Sequence, residues 1–218
     1  MSSSSWEPTE GQRRWRGQEP ADRTAARRRQ LLEAGTELMG TAGVVGMSMR
    51  AVCREAGLTE RYFYESFPNL ETLQVAVLDE VVLGARDRLL QSFATAPPKR
   101  REIFAHVVTH FTDYVLTDPR RGRIMFIQSQ ATVTLSARGN ELITEFTAPM
   151  AMSMAGGDKT RNPADDIDIR LNASAIFSAL AFLYRPWLDD SLTGVSLERF
   201  NRHAASVIIE IARVRSAL

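Results

Sequence analysis

The residues with the clearest capacity for chemistry lie between Ser48 and Phe67, in the run SMRAVCREAGLTERYFYESF. Glu60, Arg61, Tyr62 and Tyr64 follow the break Gly57-Leu58-Thr59 at spacings that place them on the outer side of one short helix. Leu58, Phe63 and Phe67 take its inner side. An arginine displayed in this way can donate two hydrogen bonds to guanine O6 and N7, and tyrosine hydroxyls can reach phosphate oxygens. Thr59 opens that helix, and free N–H groups at a helix start suit an anion. Ser48 and Arg50, at the start of the preceding short helix, join the candidate set. The same spacing also describes an αα-corner inside an ordinary helical domain, because helix–Gly turn–helix is a common shape.

Other candidate clusters point to less. His106 and His110 are four residues apart on one helix, a spacing compatible with two metal ligands. They are read as a partly exposed pair rather than a metal site, and His203 as an isolated side chain. No Ser–His–acid set, glycine-rich phosphate loop or carboxylate pair stands out, so an enzyme is not expected and no cofactor is implied. The single cysteine, Cys53, cannot form an internal disulfide and fits a reducing compartment.

Charge is unevenly placed. The chain of 218 residues has a formal charge of only +1, with 44% hydrophobic and 24% charged residues, which excludes a collagen, a disordered tail and a disulfide scaffold. Yet seven arginines against Glu19 and Asp22 give residues 13–29 a charge of +5. Residues 1–19, rich in Ser, Gly, Gln and Pro, are expected to form a flexible basic arm carrying Arg14 and Arg16, or a solvated leader without a role. The start lacks the apolar region of a secretory signal. The longest nearly apolar stretch, Ala175 to Tyr184, is half of the roughly 20 residues a membrane span needs. A cytoplasmic protein with no membrane partner is expected.

The elements that must position these residues read as helices. Leu31, Ala34, Leu38 and Ala42 mark one face of a first helix, about Asp22 to Thr41, which Gly43 and Gly46 interrupt. Short helices follow from Ser48 to Ala56, with Ser48 as N-cap and Gly57 as left-handed C-cap, and from Thr59 to Phe67. A long helix runs from Leu70 to Ser92, carrying Leu73, Val77 and Val81. Beyond Pro97-Pro98, the stripe Phe104, Val107, Val108, Phe111, Tyr114 and Val115 marks another. Further starts are expected at Asp118-Pro119, near Asn140, at Asn162-Pro163 and at Ser196. About nine helices without a convincing strand make an all-α protein.

With these elements in place, the sequence resembles the tetracycline-repressor-like (TetR) family of bacterial regulators. The resemblance is carried by Arg29-Gln30-Leu31-Leu32-Glu33-Ala34 through Gly43, then Ser48 to Thr59, then Tyr62-Phe63-Tyr64-Glu65-Ser66-Phe67, and Leu70-Glu71-Thr72-Leu73. It implies a DNA-binding helix-turn-helix in residues 20–68 and a helical ligand-binding and dimerisation domain in 69–218. Tyr64 matches a phosphate-contacting position, Phe63 and Phe67 match packing positions, and Cys53 stands where the family has a small buried residue. Two departures are Ser66 in place of a common His and Leu70 in place of a phosphate-contacting Lys. The basic arm would compensate for them by entering the minor groove.

The resemblance further implies a homodimer joined by its last two long helices, a palindromic double-stranded operator, and an apolar small-molecule effector. The effector would be lined by Phe111, Met125, Gln128, Phe146, Met150 and Phe177. Its binding would move the Leu70–Ser92 helix and so alter DNA recognition, most simply as a repressor. The alternative is a helical ligand-binding or enzymatic protein with a vestigial DNA-binding surface.

Overall fold

Glycine, proline and capping side chains cut the chain into ten α-helices and one 3-10 turn, with no strand among the described residues. The computed structural model describes residues 20–155, 163–189 and 191–214. The helices are α1 (Pro20–Thr41), α2 (Gly43–Gly46), α3 (Met49–Ala56), α4 (Glu60–Ser66) and α5 (Leu70–Ala94). They continue with α6 (Arg100–Thr117), α7 (Pro119–Phe126), α8 (Val133–Ala155), α9 (Pro163–Leu188) and α10 (Leu197–Ile211). A 3-10 turn, Gln128–Gln130, follows α7. The basic arm, with Arg14 and Arg16, lies outside the described residues.

Local chemistry sets the boundaries. Ser48 Oγ accepts from the Ala51 N–H at 3.2 Å, so α3 starts where a serine satisfies one of its free amides. Gly57 ends it at φ 65°, a left-handed conformation that a side chain would strain. Asn69 caps α5 through the Thr72 N–H, and Asp118 caps α7 ahead of Pro119. α8 begins at Val133, well before the expected Asn140, because the Thr132 hydroxyl accepts from the Leu135 N–H and the helix runs on through Gly139. α10, expected from Ser196, runs from Leu197 to Ile211 with Ser196 as its N-cap.

The N-terminal unit of α1–α4 is closed by Leu31, Met39, Val52, Phe63 and Phe67, all buried. Met39 takes the inward place expected of Ala42, which is exposed. α5 leaves this unit and runs into the rest of the chain. Its buried Leu73, Val77, Leu78, Val81 and Val82 serve α1 on one side and the bodies of α6 and α8 on another. The C-terminal core centres on Tyr184 of α9, which stacks on Phe126 (5.3 Å between centroids) and meets Phe111 and Phe200 edge-on. Its hydroxyl bonds Thr112, which in turn donates to Asn201 at 2.7 Å.

One side of α9 has no cover among the described residues, and it mixes the exposed Ser174, Ala175 and Ser178 with larger apolar side chains. Ile167, Leu171 and Phe182 lie along one side of α9 and are 59%, 61% and 71% exposed. The segment Ile167–Leu188 is long and apolar enough to cross a membrane by length and composition, more than the sequence suggested. It buries Asp168, Asn172, Ile176 and Tyr184 within the helical body. α10 differs: Phe200, Ala204, Ala205 and Ile208 are buried in the chain's own core, while Glu198, Arg202, His203 and Glu210 face outward.

Candidate nucleic-acid interface

The outward face of the helix-turn-helix rests on a rigid base. Phe63 and Phe67 anchor α4 against α1 and α3, with Val52 and the buried Cys53 beneath. Cys53 touches Met49 sulfur at 3.9 Å, and burial pushes its thiol above the usual range, which suits a packing residue rather than a nucleophile. Arg28 closes the edge: its guanidinium lies 4.2 Å from the Phe67 ring centre and donates to the Ser66 carbonyl at 3.0 Å. A helix seven residues long thus acquires a fixed orientation from aromatic packing rather than from its own hydrogen bonds.

Ser48, Arg50, Thr59, Glu60, Arg61 and Tyr64 are all exposed, on one connected stretch of α3, the turn and α4. Arg61 is 84% exposed and its Nε donates to Glu65 Oε1 at 3.0 Å; Arg50 pairs with Glu60 at 3.4 Å. Such exposed pairs are worth about 0.3–1 kcal/mol and exchange readily for other partners. Each uses Nε, so the terminal nitrogens that form a bidentate fork lie outside the bond. Thr59 occupies the N-cap position, but its side chain makes no capping bond among the described residues; the backbone carbonyl alone serves the Tyr62 and Phe63 amides.

Tyr62 departs from the expected outward set. It is half-buried, with the Arg27 guanidinium 4.5 Å over its ring, and so faces α1. Arg27 also reaches Thr24 at 3.1 Å and Glu65 at 3.5 Å. Glu65 thereby bridges α1 and the Arg61 side chain, a role sequence reading missed because Arg27 lies 38 positions away. Leu70 packs against the core, and the Ser66 hydroxyl is buried without a partner among the described residues. Neither of these two departures is a surface group aimed at phosphate.

A small cavity of about 30 Å³ lies between α5, α7, α8 and α9. Leu78, Val82, Met125, Leu142, Ile143 and Phe177 give it an apolar wall, and Ser129 and Gln130 a polar end. Of the expected lining, Met125 and Phe177 are in place. Phe111 instead belongs to the aromatic cluster around Tyr184. Gln128 faces away, its Oε1 accepting from the Val44 N–H at 2.9 Å. The side chains of Phe146 and Met150, on α8, are outside the described residues. His106 and His110 stack at 4.1 Å and bond Thr95 and the His106 carbonyl respectively; Glu102, one turn before His106, is held by Lys99.

Residues 31–77 match the model of the bacterial regulatory proteins of the tetR family. Its N-terminal domain belongs to the TetR family. The match spans the end of α1 through the first turns of α5, so it covers the buried base and the exposed face described above. The rest of the chain shares its fold with solved TetR-type structures. A TetR-family regulator from Shewanella sp. PV-4 superposes with a TM-score of 0.65 at 16% identity, over 85% of this chain and 95% of that one. The fatty acid degradation regulator FadR from Bacillus halodurans gives 0.70 at 14%, over 88% and 96%. FadR from Bacillus subtilis, solved with stearoyl-CoA, gives 0.68 at 15%, over 84% and 97%. No curated protein sequence matches the chain. At these identities the likeness is one of fold, and the TetR-family assignment rests on the N-terminal match.

Proposed function

We propose that the protein is a homodimeric, one-component transcriptional regulator, a repressor whose hold on a palindromic operator is controlled by a small molecule. The observation that carries this reading is the outer face of α4 within the TetR-family domain: Arg61 and Tyr64 stand exposed on a helix locked by Phe63 and Phe67. Arg61 addresses a base edge, while Tyr64, Ser48 and Arg50 position the domain on phosphates. Residues 20–68 are the DNA-binding unit and 69–218 the effector and dimerisation unit, acting without catalysis in the cytoplasm. Arg14 and Arg16 of the arm add phosphate or minor-groove contacts.

The uncovered face of α9 supports dimerisation. An apolar strip of this length on a helix calls for a partner, and two-fold symmetry pairs it with itself. α10 buries Phe200, Ala204, Ala205 and Ile208 in its own chain and keeps Leu197, Val207, Ile209 and Ile211 partly exposed beside a partner. The cavity walls support an effector that is largely apolar with one hydrogen-bonding end meeting Ser129 and Gln130. FadR from Bacillus subtilis, with its stearoyl-CoA, is a precedent for an apolar chain as ligand in this fold.

A vestigial DNA surface is the rival, favoured by the two acids against one base on α4 and by the inward Leu70. Binding to duplex DNA selected from a random pool separates the two. Arg61→Ala is expected to lose discrimination at one base position, about 1–3 kcal/mol, while Tyr64→Phe weakens all sequences alike. Unchanged discrimination in Arg61→Ala would remove the base-contact assignment.

A further inference from the structure

Spacing alone does not separate a metal-binding histidine pair from a partly exposed one; the hydrogen bonds of His106 and His110 do. Both rings are half-buried on α6, with centroids 4.1 Å apart and planes tilted by 40°. His110 Nδ1 lies 2.9 Å from the His106 carbonyl. A carbonyl oxygen only accepts, so Nδ1 carries the proton and the lone pair of the neutral ring is on Nε2.

His106 is fixed by the residue that ends α5. Its Nε2 meets Thr95 Oγ1 at 3.1 Å, and that hydroxyl lies 3.3 Å from the Ser92 carbonyl and 3.4 Å from that of Gln91. Thr95 gives its single proton to these carbonyls, so it accepts from His106 Nε2–H, and the His106 lone pair is on Nδ1. Two adjacent rings thus each keep one lone pair, while the other nitrogen is tied to a partner that fixes the ring. Metal-ligating histidines are held in this way: the outer hydrogen bond selects the tautomer and orients the ligand nitrogen.

A carboxylate stands one turn before the pair. Glu102, His106 and His110 follow one another at steps of four, along one side of α6. Lys99 Nζ holds Glu102 Oε1 at 3.1 Å, both side chains being exposed. With Glu102 turned to Lys99, no group of three His, Cys, Asp or Glu side chains is gathered for a metal among the described residues. That tie is an exposed ion pair, worth about 0.3–1 kcal/mol, and a doubly charged ion on the two imidazoles competes for the carboxylate against one ammonium. Two imidazole nitrogens and a carboxylate oxygen suit a late first-row ion such as Zn²⁺; Mg²⁺ and Ca²⁺ take oxygen donors instead. Three protein donors fall short of a closed structural site, so the ion is exchangeable and the fold does not depend on it.

We infer that His106 Nδ1, His110 Nε2 and the Glu102 carboxylate form a binding site for a divalent late transition ion at the corner of α5 and α6, with Thr95 as the positioning residue that sets the His106 tautomer. This goes beyond the DNA-binding reading and does not depend on it. The chain has three histidines and one cysteine, and Cys53 is buried, so strong donors elsewhere are few. The probe is Zn²⁺, titrated into metal-free, full-length protein in competition with a chromophoric chelator.

The wild type is expected to bind one Zn²⁺ per chain. In long-range ¹H–¹⁵N spectra the ion shifts Nδ1 of His106 and Nε2 of His110, a signature that a merely structural pair does not give. His106→Gln and His110→Gln each weaken binding by roughly tenfold or more, since losing a ligand costs no less than losing its orienting bond. Thr95→Val and Glu102→Gln weaken it severalfold, Lys99→Met tightens it by releasing Glu102, and His203→Gln leaves it unchanged. Absence of saturable binding by the wild type overturns the site. So does affinity that survives undiminished in both His106→Gln and His110→Gln, or bound Zn²⁺ that shifts neither ring nitrogen. Equal affinity in Glu102→Gln and Lys99→Met overturns the part given to the carboxylate. Where a variant fails to fold, the wild-type spectra decide alone.

Discussion

At the scale of residues, the notable feature of the candidate interface is that its cations are already engaged. Glu65 holds Arg61 and reaches Arg27, and Glu60 holds Arg50. On the proposed reading, a carboxylate beside that surface repels phosphate at every sequence but orients Arg61 for one base. Glu65→Gln removes the repulsion and the orientation together. Its expected effect is a few-fold tighter binding to random duplex and a lower ratio of specific to non-specific affinity, measured by titration at two salt concentrations. Equal affinity and an equal ratio in the variant would show that Glu65 is a bystander. Nothing in the linear sequence marks this bridge, because Arg27 and Glu65 become neighbours only when Phe63 and Phe67 dock α4 on α1.

At the scale of elements, two glycines do opposite work. Gly57 sits at φ 65° with open space around its missing Cβ, so Gly57→Ala meets only backbone strain, about 1–2 kcal/mol of lost stability. Gly40 lies in the body of α1 against the Arg120 backbone, so Gly40→Ala should change little in α1 itself while separating the two units. Thermal unfolding is expected to show one lowered transition for Gly57→Ala and a loosening of cooperativity between units for Gly40→Ala; a single unchanged transition for Gly40→Ala would mean the joint relaxes freely.

Sequence carried the first of these and not the second. Helix ends at Ser48, Gly57 and Asp118-Pro119 are written in local chemistry, and they fell where that chemistry put them, as did the buried Phe63, Phe67, Leu73, Val77 and Val81. What depends on a neighbour distant in sequence was not legible: the start of α8, the inward turn of Tyr62, and the true cavity wall of Leu78, Val82 and Leu142. Gln128 shows why. Its spacing fitted a pocket lining, but a carbonyl oxygen takes the nearest unpaired N–H, and that belongs to Val44.

At the scale of the whole molecule, the near-neutral total conceals a division of labour. A basic N-terminal window, an exposed polar face on α3–α4, a small apolar cavity and an uncovered apolar strip on α9 succeed one another along the chain. If the strip joins two chains, as proposed, the two-fold pair of α4 helices can only read DNA whose half-sites repeat with the same symmetry, roughly 34–36 Å apart for adjacent major-groove faces. Selection of duplexes from a random pool by the full-length protein tests this most directly. The account predicts an enriched inverted repeat, bound by two chains, with affinity that falls steeply as salt rises. Enrichment of no sequence, or of a lone half-site bound by one chain, would contradict it.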